Sequence, residues 1–150
     1  AAMYNEAIAL VRTKYRGEII IDLSGYGQEA NVAAEASAMI HDTNIVFSMH
    51  TYPGAWNQVE NRYVNVADVD TLVSTKRPCI VGEFGFTGGD GNVDVPSVVS
   101  YAKSRGFSVL GWAWNGDGGD MNMVSPAWTQ VATAGSYSEG VYFKPILDLL

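Results

Sequence analysis

Glu83 is the residue of this sequence best placed to do chemistry. It stands in Pro78-Cys79-Ile80-Val81-Gly82-Glu83-Phe84-Gly85, where a short apolar run bounded by proline and glycine reads as a strand buried on both faces. A carboxylate is costly to bury without partners, so one at the end of such a strand is either paired with an Arg or Lys or kept for a reaction. Other strand ends repeat the arrangement, supplying Tyr26 and Gln28, His50 and Tyr52, and Trp112 with Trp114. Side chains alternate along a strand, so His50 and Tyr52 share one side if that segment stays extended. Together these types suit a sugar: Trp offers a flat face to a pyranose ring, Glu can attack the anomeric carbon, and Tyr and His can hold the carboxylate by hydrogen bonds.

The elements that must position these residues follow from periodicity. Tyr4, Ile8, Val11 and Tyr15 recur at helical spacing and Gly17 stops them; Glu18 to Leu23 is a strand leaving through Ser24-Gly25-Tyr26-Gly27-Gln28. An Ala-rich helix from Asn31 to Ile40 precedes a strand from Asn44 to Met49 and its exit loop His50-Thr51-Tyr52-Pro53-Gly54. Val59, Tyr63, Val66 and Val69 predict one long helix from about Trp56 to Ser74, leading into the strand that ends at Glu83. Pro96 and Asp94 open a helix running to Arg105, Phe107 to Trp114 is the fourth strand, and Tyr142 to Leu150 closes the chain as a helix interrupted near its start by Pro145. Four strands alternating with helices form the βα repeat of a parallel sheet. The loops after the strands hold the Gly, Trp, Asn and Asp, so the site belongs at the C-terminal ends of the strands.

Composition narrows the partners. With 150 residues the chain is most simply one domain with a sizeable core, and its net charge of -7 argues against nucleic acid and anionic membrane, which both need clustered Lys and Arg. No apolar run reaches the length of a membrane span, and Ala1-Ala2-Met3-Tyr4 lacks the basic and apolar regions of a signal peptide, as though a longer chain had been entered midway. The lone Cys79, in a buried strand, reads as inert packing.

No metal or cofactor is expected. Asp90, Asn92 and Asp94 alternate like the opening of a calcium loop, but Val95 stands where the sharp turn wants Gly and Tyr101 where the closing Glu should be. Asp117 and Asp120 read as members of a solvated Gly-rich loop, and His41 as a surface residue. There is no phosphate-binding glycine loop, no His and Cys metal spacing and no Ser-His-Asp arrangement.

Val81-Gly82-Glu83-Phe84-Gly85, with Phe47-Ser48-Met49-His50-Thr51-Tyr52 before it and Leu110-Gly111-Trp112-Ala113-Trp114-Asn115-Gly116 after it, resembles the last four βα units of a glycoside hydrolase family 5 enzyme. The likeness is strongest to bacterial endo-β-1,4-mannanases, and Asp22-Leu23-Ser24-Gly25-Tyr26-Gly27-Gln28 and Asp90-Gly91-Asn92-Val93-Asp94 fit the same group. The resemblance implies an α/β chain forming the C-terminal half, four βα units, of a (β/α)8 TIM barrel. It also implies secretion and retaining hydrolysis of β-mannan or β-glucan. On it, Glu83 matches the nucleophile, His50 and Tyr52 the residues that orient it, and Trp114 an aromatic platform, while Trp112 is either a second platform or core.

The departure concerns the second carboxyl. Retention needs one about 5–5.5 Å from the nucleophile, and the family's acid/base Glu follows an Asn at the end of the fourth barrel strand. Asn5-Glu6 mimics that motif but has no strand before it, so Glu6 reads as a carboxylate near a helix N-terminus. Either a complementary N-terminal half-barrel chain supplies the acid/base, or the chain pairs with a second copy of itself and binds sugar without cutting it, or it is a structural half-barrel without a sugar-binding role.

Overall fold

The computed structural model describes residues 1–87, 91–126 and 136–150. In chain order the elements are α1 (Ala2–Arg12), β1 (Ile19–Asp22), a short helical turn α2 (Ser24–Gly27), α3 (Ala30–Ser37), β2 (Ile45–Thr51), β3 (Trp56–Asn57) and β4 (Arg62–Tyr63). There follow α4 (Val66–Ser74), β5 (Cys79–Phe84), α5 (Val95–Ser104), β6 (Ser108–Gly111), β7 (Val124–Ser125), β8 (Ser138–Glu139) and α6 (Phe143–Leu147).

The expected parallel sheet is present, four strands in the order β1-β2-β5-β6 with every pairing parallel. Strands in sequence order joined by helices are the βα repeat itself. One face carries the core: Ile21, Ile45, Phe47, Met49, Val81 and Phe84 pack beneath Ala30 and Ala33 of α3, Val69 and Leu72 of α4, and Val98, Val99 and Ala102 of α5. The strand expected to be buried on both faces, β5, has Cys79 and Val81 buried and Ile80 half-buried, while on the edge strands Ile20 is 59% exposed and Leu110 50%. No helix among the described residues is long and apolar enough to cross a membrane.

The long helix expected over Trp56 to Ser74 is the main error of the periodicity. Trp56–Asn57 and Arg62–Tyr63 instead form an antiparallel hairpin, with Asn61 at φ 52° in its turn, and α4 begins only at Val66. The cause is a capping box: Asn65 accepts from the backbone N–H of Ala67 while Asp68 accepts from that of Asn65, which fixes the helix start there. Val59, counted as a core position of the long helix, is 60% exposed on the hairpin.

Asp68 is itself 1% exposed and receives Arg62 through two bonds of 2.6 and 3.0 Å, with Asn57 donating to it at 3.3 Å and to Asn31 at 2.9 Å. This network pins the hairpin to α4 and to α3. Pro96 and Asp94 behave as expected, Asp94 capping α5 by accepting from Ser97, which holds the Asp94 carboxyl below its ordinary range. Glu6 is exposed within α1 but past its first turn, so the dipole argument for it fails.

Removing Asp68 strands the Arg62 guanidinium and opens the hairpin anchor. Asp68→Ala is expected to cost about 3 kcal/mol of stability in urea unfolding, the range for breaking a largely buried pair; a loss under about 1 kcal/mol would show the network to be dispensable.

Candidate active site

Glu83 reaches the site through a break in strand alternation. Val81 and Phe84 are both 0% exposed against the helices, although three residues apart they should face opposite sides. The β5 register shifts between these two residues against β6, and β2 shifts between Met49 and His50. One extra residue is thereby absorbed as a bulge. Glu83 is turned out of the core, beside its register partner His50, with 28% of its side chain exposed.

Among the described residues it has two partners. The Tyr52 hydroxyl donates to Glu83 Oε2 at 2.7 Å, and His50 Nδ1 lies 3.5 Å from the same oxygen. On the other side of the ring, His50 Nε2 is 3.2 Å from Asp22 Oδ1 and 3.4 Å from Ser48 Oγ. Burial first, and then the bond to Glu83, push the Tyr52 phenol well above its ordinary value, so it stays an O–H donor through neutral and mildly alkaline pH.

The bland reading of Glu83, a carboxylate neutralised by Arg or Lys, does not describe this contact set. Four of the five arginines are committed elsewhere: Arg12 to Asp42, Arg62 to Asp68, Arg105 to Asp70, and Arg77 to the carbonyls of Ser37, Ile40 and Asp42 at and beyond the end of α3.

A cleft of about 500 Å³ opens above this group, lined by Asp22, Leu23, Tyr26, Gly27, Gln28, His50, Tyr52 and Glu83. Two glycines permit it. Gly27, at φ 84°, brings the loop after β1 so near the ring that a Cβ there would lie 2.5 Å from His50 Cγ. A Cβ on Gly82 would stand 2.0 Å from Ser48 Oγ. Tyr26 is 87% exposed at the mouth, and Gln28 accepts from the backbone N–H of Trp56 at 2.7 Å, tying the cleft wall to the β3–β4 hairpin.

Of the residues expected at the site, Glu83, His50, Tyr52, Tyr26 and Gln28 come together here. Trp112 and Trp114 do not line this cleft. The fourth strand ends at Gly111, short of the expected Trp114, and both Trp residues stand in the loop beyond it. Trp112 is 39% exposed and so is not core, and its indole N–H donates to Asp117 at 3.1 Å, which holds the Asp117 carboxyl below its ordinary range. Trp114 is 60% exposed and meets Phe143 edge to face at 6.5 Å.

Asp117, expected as a solvated loop residue, also accepts from the backbone of Gly119 and Met121 and organises that loop. Asp22 was not singled out from the sequence as a site residue, although its place as the last residue of β1 was a usable signal. Asp90 lies outside the described residues. Cys79 is buried and its thiol pushed up to about 11 by burial, in keeping with inert packing.

The chain is similar to known proteins over most of its length. A family model described as Cellulase (glycosyl hydrolase family 5) matches residues 1–118. Over 112 residues the chain is 36% identical to a mannan endo-1,4-beta-mannosidase of Streptomyces lividans, covering 71% of this chain and 28% of that protein. A β-mannanase structure from Thermomonospora fusca superposes with a TM-score of 0.67 at 27% identity, covering 83% of this chain and 43% of that one. The catalytic domain of a Thermobifida fusca endoglucanase shares the fold at a TM-score of 0.66 and 17% identity, covering 99% of this chain and 51% of that one. The chain thus spans about half or less of the proteins it matches, and its sheet corresponds to part of their barrels.

The Tyr52 contact has a titration signature. An acidic group whose folded pKa is raised adds stability below its unfolded value, here 10.0, and that contribution is lost as pH rises beyond it. Between about pH 9 and about pH 11 the urea midpoint of the wild-type chain should fall more steeply than that of Tyr52→Phe. Parallel curves would mean that Tyr52 ionises alike in the folded and unfolded chain.

Proposed function

The chain belongs to glycosyl hydrolase family 5, and from that premise we propose that it carries the nucleophile half of a retaining endo-β-1,4-glycosidase acting on β-mannan. The observation that carries this reading is Glu83 Oε2 held by the Tyr52 hydroxyl and flanked by His50 at the floor of an open cleft. Both partners address Oε2, which leaves Oε1 to attack.

In the first step a bond forms between Glu83 and the anomeric carbon as the glycosidic carbon–oxygen bond breaks, and the leaving oxygen takes a proton from a second carboxyl. In the second, water activated by that same carboxyl displaces Glu83 from the sugar. The Tyr52 hydroxyl holds the carboxylate in one orientation throughout, with the His50 ring bounding its other side, and the neutral phenol stabilises its charge without neutralising it. Tyr26 and Gln28 present a ring and an amide to the sugar at the cleft mouth, with Trp114 and Trp112 as further aromatic surfaces at the end of β6.

Mannan is favoured over glucan by the names of the more similar relatives. A polymer of that size places the reaction outside the cell. The acid/base belongs, on this reading, to a complementary half of the barrel seated on the sheet face where Ile20 and Leu110 are exposed. An open apolar sheet face of this kind favours a covering partner.

An activated substrate isolates the first step. 2,4-Dinitrophenyl β-mannobioside has a leaving group that needs no proton, so Glu83 can be displaced onto the sugar without the second carboxyl. Wild-type protein is expected to release a burst of dinitrophenolate, and Glu83→Gln to lose it by a factor on the order of 10⁴ while still binding mannohexaose. Undiminished release from Glu83→Gln would move the nucleophile elsewhere.

A further inference from the structure

Glu83 is one of two carboxylates on the His50 ring. Asp22, the last residue of β1, sits one strand over and in register with Ser48, and its Oδ1 lies 3.2 Å from His50 Nε2. The ring is 13% exposed, whereas Asp22 is 62% exposed. A contact so open to water adds little to stability. Its consequence lies in what it does to the ring.

The two nitrogens of an imidazole are distinct, and the partner at one decides which carries the proton. Asp22 can only accept, so its contact is a hydrogen bond only when Nε2 bears hydrogen. Ser48 Oγ, 3.4 Å from the same nitrogen, can donate or accept and so does not discriminate. The ring plane is walled as well, because Gly27 lies against Cγ and a Cβ on Gly82 would come within 3.5 Å of Nε2. Backbone therefore restricts how the ring can tilt, and Asp22 chooses which edge faces which carboxylate.

We propose that Asp22 is a positioning residue, which holds the proton on His50 Nε2 and so keeps the Nδ1 edge turned to Glu83 Oε2. The catalytic consequence rests on the reading of Glu83 as nucleophile; the effect on the ring does not. Nδ1 then carries a lone pair and donates nothing to Oε2, so the Tyr52 hydroxyl is the donor that orients the carboxylate. The fixed ring edge bounds where Oε2 can swing and keeps Oε1 aimed into the cleft.

The test uses the fact that the chain has two histidines, His41 and His50. Long-range proton–nitrogen NMR reports the protonation of each ring nitrogen, and a His41→Gln variant assigns the signals. The expected result is hydrogen on His50 Nε2 in wild type, a mixture of tautomers in Asp22→Ala, and the wild-type pattern in Asp22→Asn, whose amide oxygen still accepts. An unchanged ring pattern in Asp22→Ala overturns the proposal.

Kinetics with 2,4-dinitrophenyl β-mannobioside supply the second readout. Asp22→Ala should lower the rate constant of the dinitrophenolate burst about tenfold, the scale of one charge-assisted hydrogen bond, with the substrate concentration for half-maximal burst rate changed less than about twofold, and Asp22→Asn should recover most of the loss. A loss confined to that half-saturating concentration would make Asp22 a sugar contact and overturn the positioning role. If wild-type protein releases no dinitrophenolate, the nucleophile reading fails, and the ring spectra still decide for or against Asp22.

Discussion

The bulge at Gly82 and Glu83 is the constraint on which the site depends. Two fully buried side chains, Val81 and Phe84, grip the helix-covered core three residues apart, and strand geometry allows both only if one residue is extruded between them. The core is thus what expels Glu83. A carboxylate that plain alternation would have placed on the same side as Val81, among apolar side chains, is delivered to the cleft, and the packing that delivers it also makes its position rigid.

The groups around Glu83 orient it without pairing it to a cation. Its donor is a phenol that burial keeps neutral, and its neighbour is an imidazole shared with Asp22 and Ser48. Among the residues lining the cleft there is no Lys or Arg. A guanidinium in contact would have held the carboxylate in a tight, geometrically saturated pair and lowered its reactivity as a nucleophile. The arginines instead brace the scaffold. Arg77 closes the carbonyls at the end of α3, Arg62 anchors the hairpin that meets Gln28, and Arg12 joins α1 to the segment before β2. Positive charge is spent on the framework and withheld from the site.

Much of this was legible in the sequence, for identifiable reasons. The strands of the sheet and the helix at Pro96 carry strong local signals, apolar β-branched runs and an N-terminal Pro with its Asp cap, and both are where the pattern places them. Glu83, His50 and Tyr52 were legible because each sits at or just past a strand end, where a polar residue has no packing reason to be. The hairpin at Trp56 to Tyr63 was hidden because Val59, Tyr63, Val66 and Val69 mimic helical spacing. The decisive signal was the Asn65-x-x-Asp68 capping box, a local feature that outranks periodicity in fixing where a helix starts. Asp22 was missed because its partner lies one strand away. Contacts made by register rather than by sequence spacing are invisible until the sheet is assembled. The place of Trp112 and Trp114 depended on a strand end, the least certain feature of any pattern, and that end falls at Gly111.

The account turns on a covalent bond between Glu83 and a sugar. The most direct measurement is peptide mapping by mass spectrometry after incubation with 2-deoxy-2-fluoro-β-mannosyl fluoride, whose fluorine slows breakdown of the glycosyl-enzyme more than its formation. The account predicts a fluoromannosyl adduct on the peptide containing Cys79 to Phe84, localised by fragmentation to Glu83. An adduct on a different carboxylate, or a protein that turns over mannan while Glu83 stays unlabelled, would contradict it.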